Sequence, residues 1–273
     1  MNWDKVFKPK KEGGLGIRSL ETWNLAAVGI IAWHISMMQE CLWVKWVHEV
    51  YMTGGKWELF NAPITASWVV KKLCKVKETL SQWMKNSHYS IDKVYRELQG
   101  TSEKVEWARF AWNRATTPRS RFVVWLAYHE RLKTKQQLMS IGVVDNEMCP
   151  ICGMQPETID HLFFACDFSK QCVEILKSWI GVNWNIGTLK DLIRKRRLPK
   201  SKLRLVAAIF SNLVYVIWNT RNDAVWHNKV STMERAIKSI KVDSKVRFNS
   251  LTLGRSTTLW LETLYKDTRA HEA

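Results

Sequence analysis

Cys149-Pro150-Ile151-Cys152, followed by His161 and Cys166, obliges one stretch of this chain to close on itself. A Cys-x-x-Cys turn brings two sulfurs onto one ion, and zinc takes thiolate and imidazole in a four-coordinate tetrahedron. Gly153 suits a tight turn whose amides point back at sulfur, because glycine bends there cheaply. Thr158 is placed to cap a short helix that presents His161. His161 and Cys166 are five residues apart, about 140° around an ideal helix, so they cannot share one face. The helix must therefore end or distort near Cys166. Four protein ligands leave no open position for water, so the zinc expected here is structural. Cys172 is the rival for the fourth place. A redox pair is the other reading, but a thioredoxin-like motif needs a βαβ setting that the surrounding sequence does not offer. Cys41 and Cys74, far off on apolar helices, read as core residues.

Six cysteines in 273 residues are too few for a disulfide scaffold. The Met-Asn-Trp-Asp start lacks a basic segment with an apolar core, so no signal peptide is expected. A reducing compartment follows, nuclear or cytoplasmic, with no secretion. The longest apolar stretches, residues 25–38 and 205–218, fall short of a membrane span and contain His34, Ser211 and Asn212, so no membrane partner is expected. Sixteen tryptophans and 46% hydrophobic residues argue for a folded core in one or two domains.

The periodicity is that of helices. Ser19 can cap one whose first turn holds Glu21, and residues 23–38 are apolar nearly all round, which predicts burial. Leu42, Trp46 and Val50 recur at four-residue spacing on a second helix. Asn61-Ala62-Pro63 breaks the chain before a helix over residues 66–83. The polar run Asn86-Ser87-His88-Tyr89-Ser90 reads as a linker, and short helices follow over 92–98, 106–112 and 119–131. Leu203, Val206, Phe210, Leu213 and Ile217 repeat at 3-4-3-4 spacing, the seam of one long amphipathic helix. Ser231-Thr232-Met233-Glu234 matches a capping box. The fold class expected is mainly α, an irregular helical bundle with a small Cys-Cys-His-Cys zinc-binding loop-helix module. Three regions are expected, over residues 1–86, 87–185 and 186–273.

Lys+Arg outnumber Asp+Glu by 42 to 25, a net charge of +17. Such a surplus attracts polyanions, most commonly nucleic acid. Two segments carry the candidates. In the first, Arg114, Arg119, Arg121, Arg131, Lys133 and Lys135 are interleaved with Phe122, Trp125 and Tyr128; the arginines can meet phosphates, Arg114, Arg119 and Arg121 foremost, whereas the aromatics, at helical spacing, read as core. The second is Lys190, Arg194, Lys195, Arg196, Arg197, Lys200, Lys202 and Arg204, with Asp191 the only acid in residues 190–204. That density is hard to reconcile with folding against a core. The plain alternatives are a solvated run of like charge and a nuclear-import signal over residues 194–197.

These residues also carry a resemblance. The run Trp107…Trp112-Asn113…Pro118-Arg119…Arg121-Phe122…Trp125-Leu126-Ala127…Arg131-Leu132-Lys133-Thr134, then Cys149-x-x-Cys152, Glu157-Thr158…Asp160-His161-Leu162-Phe163-Phe164…Cys166, resembles the zinc-binding domain of plant LINE-type, non-LTR retrotransposon reverse transcriptases. Gly13-Gly14-Leu15-Gly16…Trp23-Asn24-Leu25-Ala26 and Leu42-Trp43-Val44-Lys45-Trp46 are similar to the segment after the polymerase palm. Ile217-Trp218-Asn219…Arg221-Asn222 is similar to the stretch that leads toward a ribonuclease H domain. The resemblance implies metal ligands at Cys149, Cys152, His161 and Cys166. A basic position expected in the first helix of that family is apolar here, around residues 28–31. The resemblance further implies a piece of a larger element from which the catalytic domains are missing.

No polymerase or nuclease chemistry is expected. Phosphoryl transfer at a two-metal site needs clustered carboxylates, and no Asp-Asp pair occurs anywhere in the chain. His129-Glu130 lacks the later histidine of a metalloprotease helix. The reading is a zinc-stabilised accessory module that holds RNA or DNA largely without sequence preference, with no small-molecule substrate. The competing readings are a zinc-stabilised protein-interaction module and a transposon relic without function.

Overall fold

The computed structural model describes residues 3–52, 55–194 and 197–270. Among them the chain is mainly α, as its periodicity predicts: there is no β-strand, and Met148 and Pro156 form one isolated antiparallel bridge. The contacts gather into two compact units, residues 1–104 and 105–273. Residues 87–104, grouped above with the cysteine segment, thus pack in the first unit, and residues 186–273 share the second with residues 105–185.

The first unit holds α1 (Trp3–Phe7), α2 (Leu20–Ser36), α3 (Leu42–Val47), α4 (Trp68–Thr79), α5 (Ser81–Met84) and α6 (Ile91–Gln99). Ser19 caps α2, its hydroxyl accepting from the Thr22 amide at 3.3 Å. α2 packs against α4 and α6, burying Ala26, Ala32 and Ile35 with Leu73, Leu80 and Val94. Lys77 is buried too, and its ammonium donates to the carbonyls of Trp57, Glu58 and Phe60, tying down the loop before α4.

Two expectations for this unit are corrected. Leu42, Trp46 and Val50 face solvent, while Val44 and Val47 are buried. The helix expected to carry all three ends at Val47, so Val50 lies in the wider turn His48–Met52 that follows. The run at 86–90 is no linker. Tyr89 is buried and its hydroxyl donates to the Ala26 carbonyl at 2.8 Å, while the Trp33 indole donates to the Asn86 carbonyl at 2.9 Å. Gly29 makes room for that seam: a Cβ there would stand 2.2 Å from the Tyr89 hydroxyl and 2.4 Å from Leu80 Cδ1.

The second unit holds α7 (Ala108–Ala111), α8 (Pro118–Tyr128), α9 (Lys135–Ser140), α10 (Asp167–Ile180), α11 (Leu189–Ile193), α12 (Lys200–His227), α13 (Met233–Asn249) and α14 (Arg255–Ala270). Its centre is α12, 28 residues long, which packs against α8, α10 and α13. Val206, Phe210, Leu213 and Ile217 are buried as the seam predicts, but so are Leu205, Ile209 and Val214, so α12 is a core helix covered on most sides. It is long and apolar enough to cross a membrane by length and composition, yet 67% of its most apolar window is buried by the rest of the unit. Ser211, Asn212, Thr220 and Arg221 are buried along it as well. α13 is capped by Thr232, whose hydroxyl accepts from the Arg235 amide, one residue later than the cap expected at Ser231.

The basic segment folds against this core, contrary to expectation. Leu189 is buried and Leu192, Ile193 and Leu198 pack onto the core. Thr188 and Asp191 form a capping box at the start of α11, and Lys200 opens α12. Apolar residues spaced between the charges anchor the backbone and leave most of the basic side chains outside.

Candidate metal centre and nucleic-acid interface

The candidate metal ligands are delivered by a turn and a distorted helix. Cys149 sits on the hairpin-like loop closed by the Met148–Pro156 bridge, its amide donating to the Gln155 carbonyl at 2.8 Å. The Gly153 amide returns to the Cys149 carbonyl at 2.8 Å, with Gly153 at φ +67°, which a residue with a Cβ rarely adopts. The Thr158 hydroxyl accepts from the His161 amide at 2.9 Å, the cap expected from sequence. His161–Ala165 then widens to a π-type turn, and Cys166 leaves the helix in extended conformation (φ −64°, ψ 137°) before α10 begins. This break at Cys166 resolves the 140° conflict, swinging its sulfur round to join the imidazole.

The sulfurs of Cys149, Cys152 and Cys166 and a ring nitrogen of His161 all lie within 4.8 Å of one another. His161 turns Nε2 toward the sulfurs, 3.4 Å from Cys152 Sγ, while its Nδ1 is buried without a hydrogen-bond partner among the described residues. Bonds of about 2.3 Å to sulfur in a tetrahedron place sulfurs about 3.8 Å apart, so the donor set fits one zinc with small inward movement. The Cys166 thiol, donating to Cys149, holds the Cys149 sulfur well below the usual thiol range, against the effect of burial and with help from the Cys152 and Ile151 amides. The same contact, with burial, pushes Cys166 up. Cys172 stands apart from this group: it is fully buried among Val173, Leu176 and the rest of the core, and burial raises its thiol to about 11.

Glu157 and Arg221, quoted above only within longer runs, lock this loop to α12. The carboxylate also accepts from the Lys135 amide, and the guanidinium donates to the Lys133 carbonyl at 3.0 Å. An acid next to the ligand loop and an arginine deep in the apolar stretch of α12 are the signals that point to such a pair.

Of the basic candidates, Arg114 and Arg119 are exposed and Arg121 is half-buried. Asn113 draws the two basic segments together: its amide donates to the Arg204 carbonyl, and its carbonyl accepts from Arg121 Nε at 2.9 Å. Arg247, absent from the sequence reading, donates to the Arg114 carbonyl at 2.6 Å. Burial, and then the like charge of Arg247, pull the Arg121 guanidinium below its usual range. Arg114, Arg121, Arg204 and Arg247 therefore share one neighbourhood. Lys190, Arg194, Arg197 and Lys200 are exposed; Arg194 pairs with Asp191 at 3.2 Å, and Lys202 lies half-buried over the Trp260 ring at 5.6 Å. Lys195 and Arg196 lie outside the described residues. Trp125 is core and Tyr128 half-buried, as expected of aromatics at helical spacing, but Phe122 is 48% exposed.

Comparison with known proteins bears on this region. Residues 89–172 match the family model described as zinc-binding in reverse transcriptase. Over 72 residues, 25% of this chain, the sequence is 29% identical to an Arabidopsis thaliana protein named as a putative ribonuclease H protein. The aligned part spans 12% of that relative's length. No solved structure matches the chain. The metal-ligating loop thus lies within a segment related to reverse-transcriptase zinc-binding domains, and the similarities support a retrotransposon-related protein.

Proposed function

We propose that this protein is a zinc-stabilised accessory module, derived from a plant LINE-type reverse transcriptase, that holds RNA or DNA by its backbone and performs no catalysis itself. One observation carries this reading. Asn113 and Arg247 tie the backbone at Arg204 and Arg114 to the Arg121 guanidinium, bringing three separate parts of the chain together on a unit where the side chains of Arg114, Arg119, Arg194, Arg197, Lys200 and Arg204 are exposed. Arginine forks match phosphate geometry, and gathered cations release counterions from a nucleic-acid backbone. Cys149, Cys152, His161 and Cys166 would hold the zinc. Bound there, it supplies folding energy and cross-links the loop to the helix at Cys166, with no coordination position left for a substrate. Polymerase and nuclease chemistry runs on clustered carboxylates, whereas the multi-donor group found among the described residues consists of thiols and an imidazole.

The test is affinity for labelled RNA, DNA and hybrid at two salt concentrations. Each phosphate contact adds roughly −0.7 to the slope of log affinity against log salt for single strands. Replacing Arg194, Arg197 and Lys200 by glutamine should weaken binding to all sequences alike and flatten that slope. An affinity that ignores both salt and these substitutions refutes the reading.

A second reading has its own support in the first unit. Leu42, Leu59, Ile64 and Trp68 are each at least 75% exposed there, large apolar side chains of the kind a protein partner covers. A partner bound salt-independently through these residues is what an interaction module predicts.

A further inference from the structure

Phe122 is out of place for a helix such as α8. The inward arc of that helix is filled by Ser120, Val123, Val124, Trp125 and Ala127, all buried, and Phe122 projects from its edge with 48% of its surface open. Its ring is nonetheless held. It stacks on Trp125, with centroids 5.9 Å apart and planes inclined by 19°, and Trp125 is itself 1% exposed. An exposed ring backed by an immobile indole keeps one orientation without losing much side-chain entropy on contact.

The charges that α8 itself carries are of one sign. Arg119 lies three residues earlier, about 60° away around the helix, so the two share a face. Arg119 is exposed and has no ion-pair partner among the described residues. Arg121 follows on the other side, anchored to the Asn113 carbonyl and neighboured by Arg247. α8 contains no acidic residue. A fixed aromatic face set among cations is the combination that meets unpaired bases and their phosphates together.

We propose that Phe122 is a stacking platform for an unpaired base, so that this surface takes single-stranded nucleic acid in preference to duplex. The proposal rests on the nucleic-acid reading above and narrows it. In a duplex both faces of each base are already occupied by neighbours, and only the phosphates remain for Arg119 and Arg121. A single strand offers both.

The experiment uses the full chain loaded with zinc, and a short oligonucleotide presented once as a single strand and once as a duplex. The strand carries 2-aminopurine, whose fluorescence falls on stacking. The parent should bind the strand more tightly than the duplex and quench the probe. Phe122→Ala and Phe122→Leu should each lose about tenfold in single-strand affinity, within the range for one base–aromatic stack, and lose the quench. Their duplex affinity and salt slope should stay unchanged, since no phosphate contact is removed. Phe122→Trp should retain both affinity and quench. The leucine variant keeps an apolar contact with Trp125, so it separates stacking from folding. Equal losses on strand and duplex, or no loss on either, overturn the proposal while salt-dependent binding leaves the nucleic-acid reading standing. A parent that binds neither form overturns both.

Discussion

The Glu157 carboxylate accepts from one edge of the Arg221 guanidinium, from Nε at 2.7 Å and from Nη2 at 2.9 Å, across 64 residues of chain. The two side chains are 0% and 4% exposed. A charge in such a place is tolerated only because it is paired and because its remaining groups find partners, here at Lys133 and Lys135. Arg221 also lies 5.0 Å from the Trp218 ring centroid. Breaking the pair should therefore be costly. Arg221→Ala, which strands the carboxylate, should lose about 3–5 kcal/mol in denaturant unfolding, whereas Glu157→Gln with Arg221→Met should lose less than either single change. A single-variant loss below about 1 kcal/mol shows that the pair is screened by water.

Metal analysis should find one zinc per chain. Cys149→Ser or Cys152→Ser should release it and lower the melting temperature, because binding a structural zinc is part of the folding free energy. Cys172→Ser should keep the metal and lose only packing, since Cys172 sits in the core and outside the donor group. Loss of zinc from the Cys172 variant alone is the outcome that would reassign the fourth ligand.

Gly29→Ala should destabilise the first unit by about 1–3 kcal/mol, the usual range for overpacking. Its new methyl meets the Tyr89 hydroxyl and Leu80. Adding Tyr89→Phe removes one of those atoms, so the double variant should recover part of the loss. Strict additivity of the two changes in equilibrium unfolding would show that the clash is relieved elsewhere.

Tyr89 also sets a pH dependence. Burial pushes its phenol from 10.0 up to about 12. The neutral form is the one the fold accommodates, so this contribution to stability is complete below pH 10. It declines as pH rises from 10 toward 12. Burial raises Tyr128 and Tyr265 in the same direction. Unfolding free energy should fall above pH 10, and Tyr89→Phe should show a shallower decline from a starting value about 1 kcal/mol lower, for the lost hydrogen bond to Ala26. Parallel alkaline profiles for parent and variant would remove Tyr89 from this account.

Local chemistry was the legible part of this fold. The caps at Ser19 and Thr158, the break near Cys166 and the seam of α12 each depend on residues a few positions apart, and each is where its spacing puts it. The clustering of Cys149, Cys152, His161 and Cys166 was legible because their geometry is imposed by chain connectivity. What could not be read is set by partners distant in the chain. Tyr89 lies in a polar run yet is buried because Ala26 and Gly29 receive it. The leucines within the basic segment look like interruptions until the core of the second unit covers them. Arg247 resembles an ordinary solvent-facing residue of a basic helix, and only the Arg114 carbonyl gives it another role. Phe122 was misjudged because a helical period cannot say where the buried arc ends.

The Glu157–Arg221 pair also orders events in time. All four metal donors and Glu157 precede Arg221 in the chain, so they leave the ribosome first. Until α12 emerges, the Glu157 carboxylate lacks its cation, and a metal held by Cys149, Cys152, His161 and Cys166 would cross-link the loop before that helix arrives. On the zinc reading, ion capture by the loop and docking of α12 would then be separable steps, the first depending on the four donors and the second on the arginine.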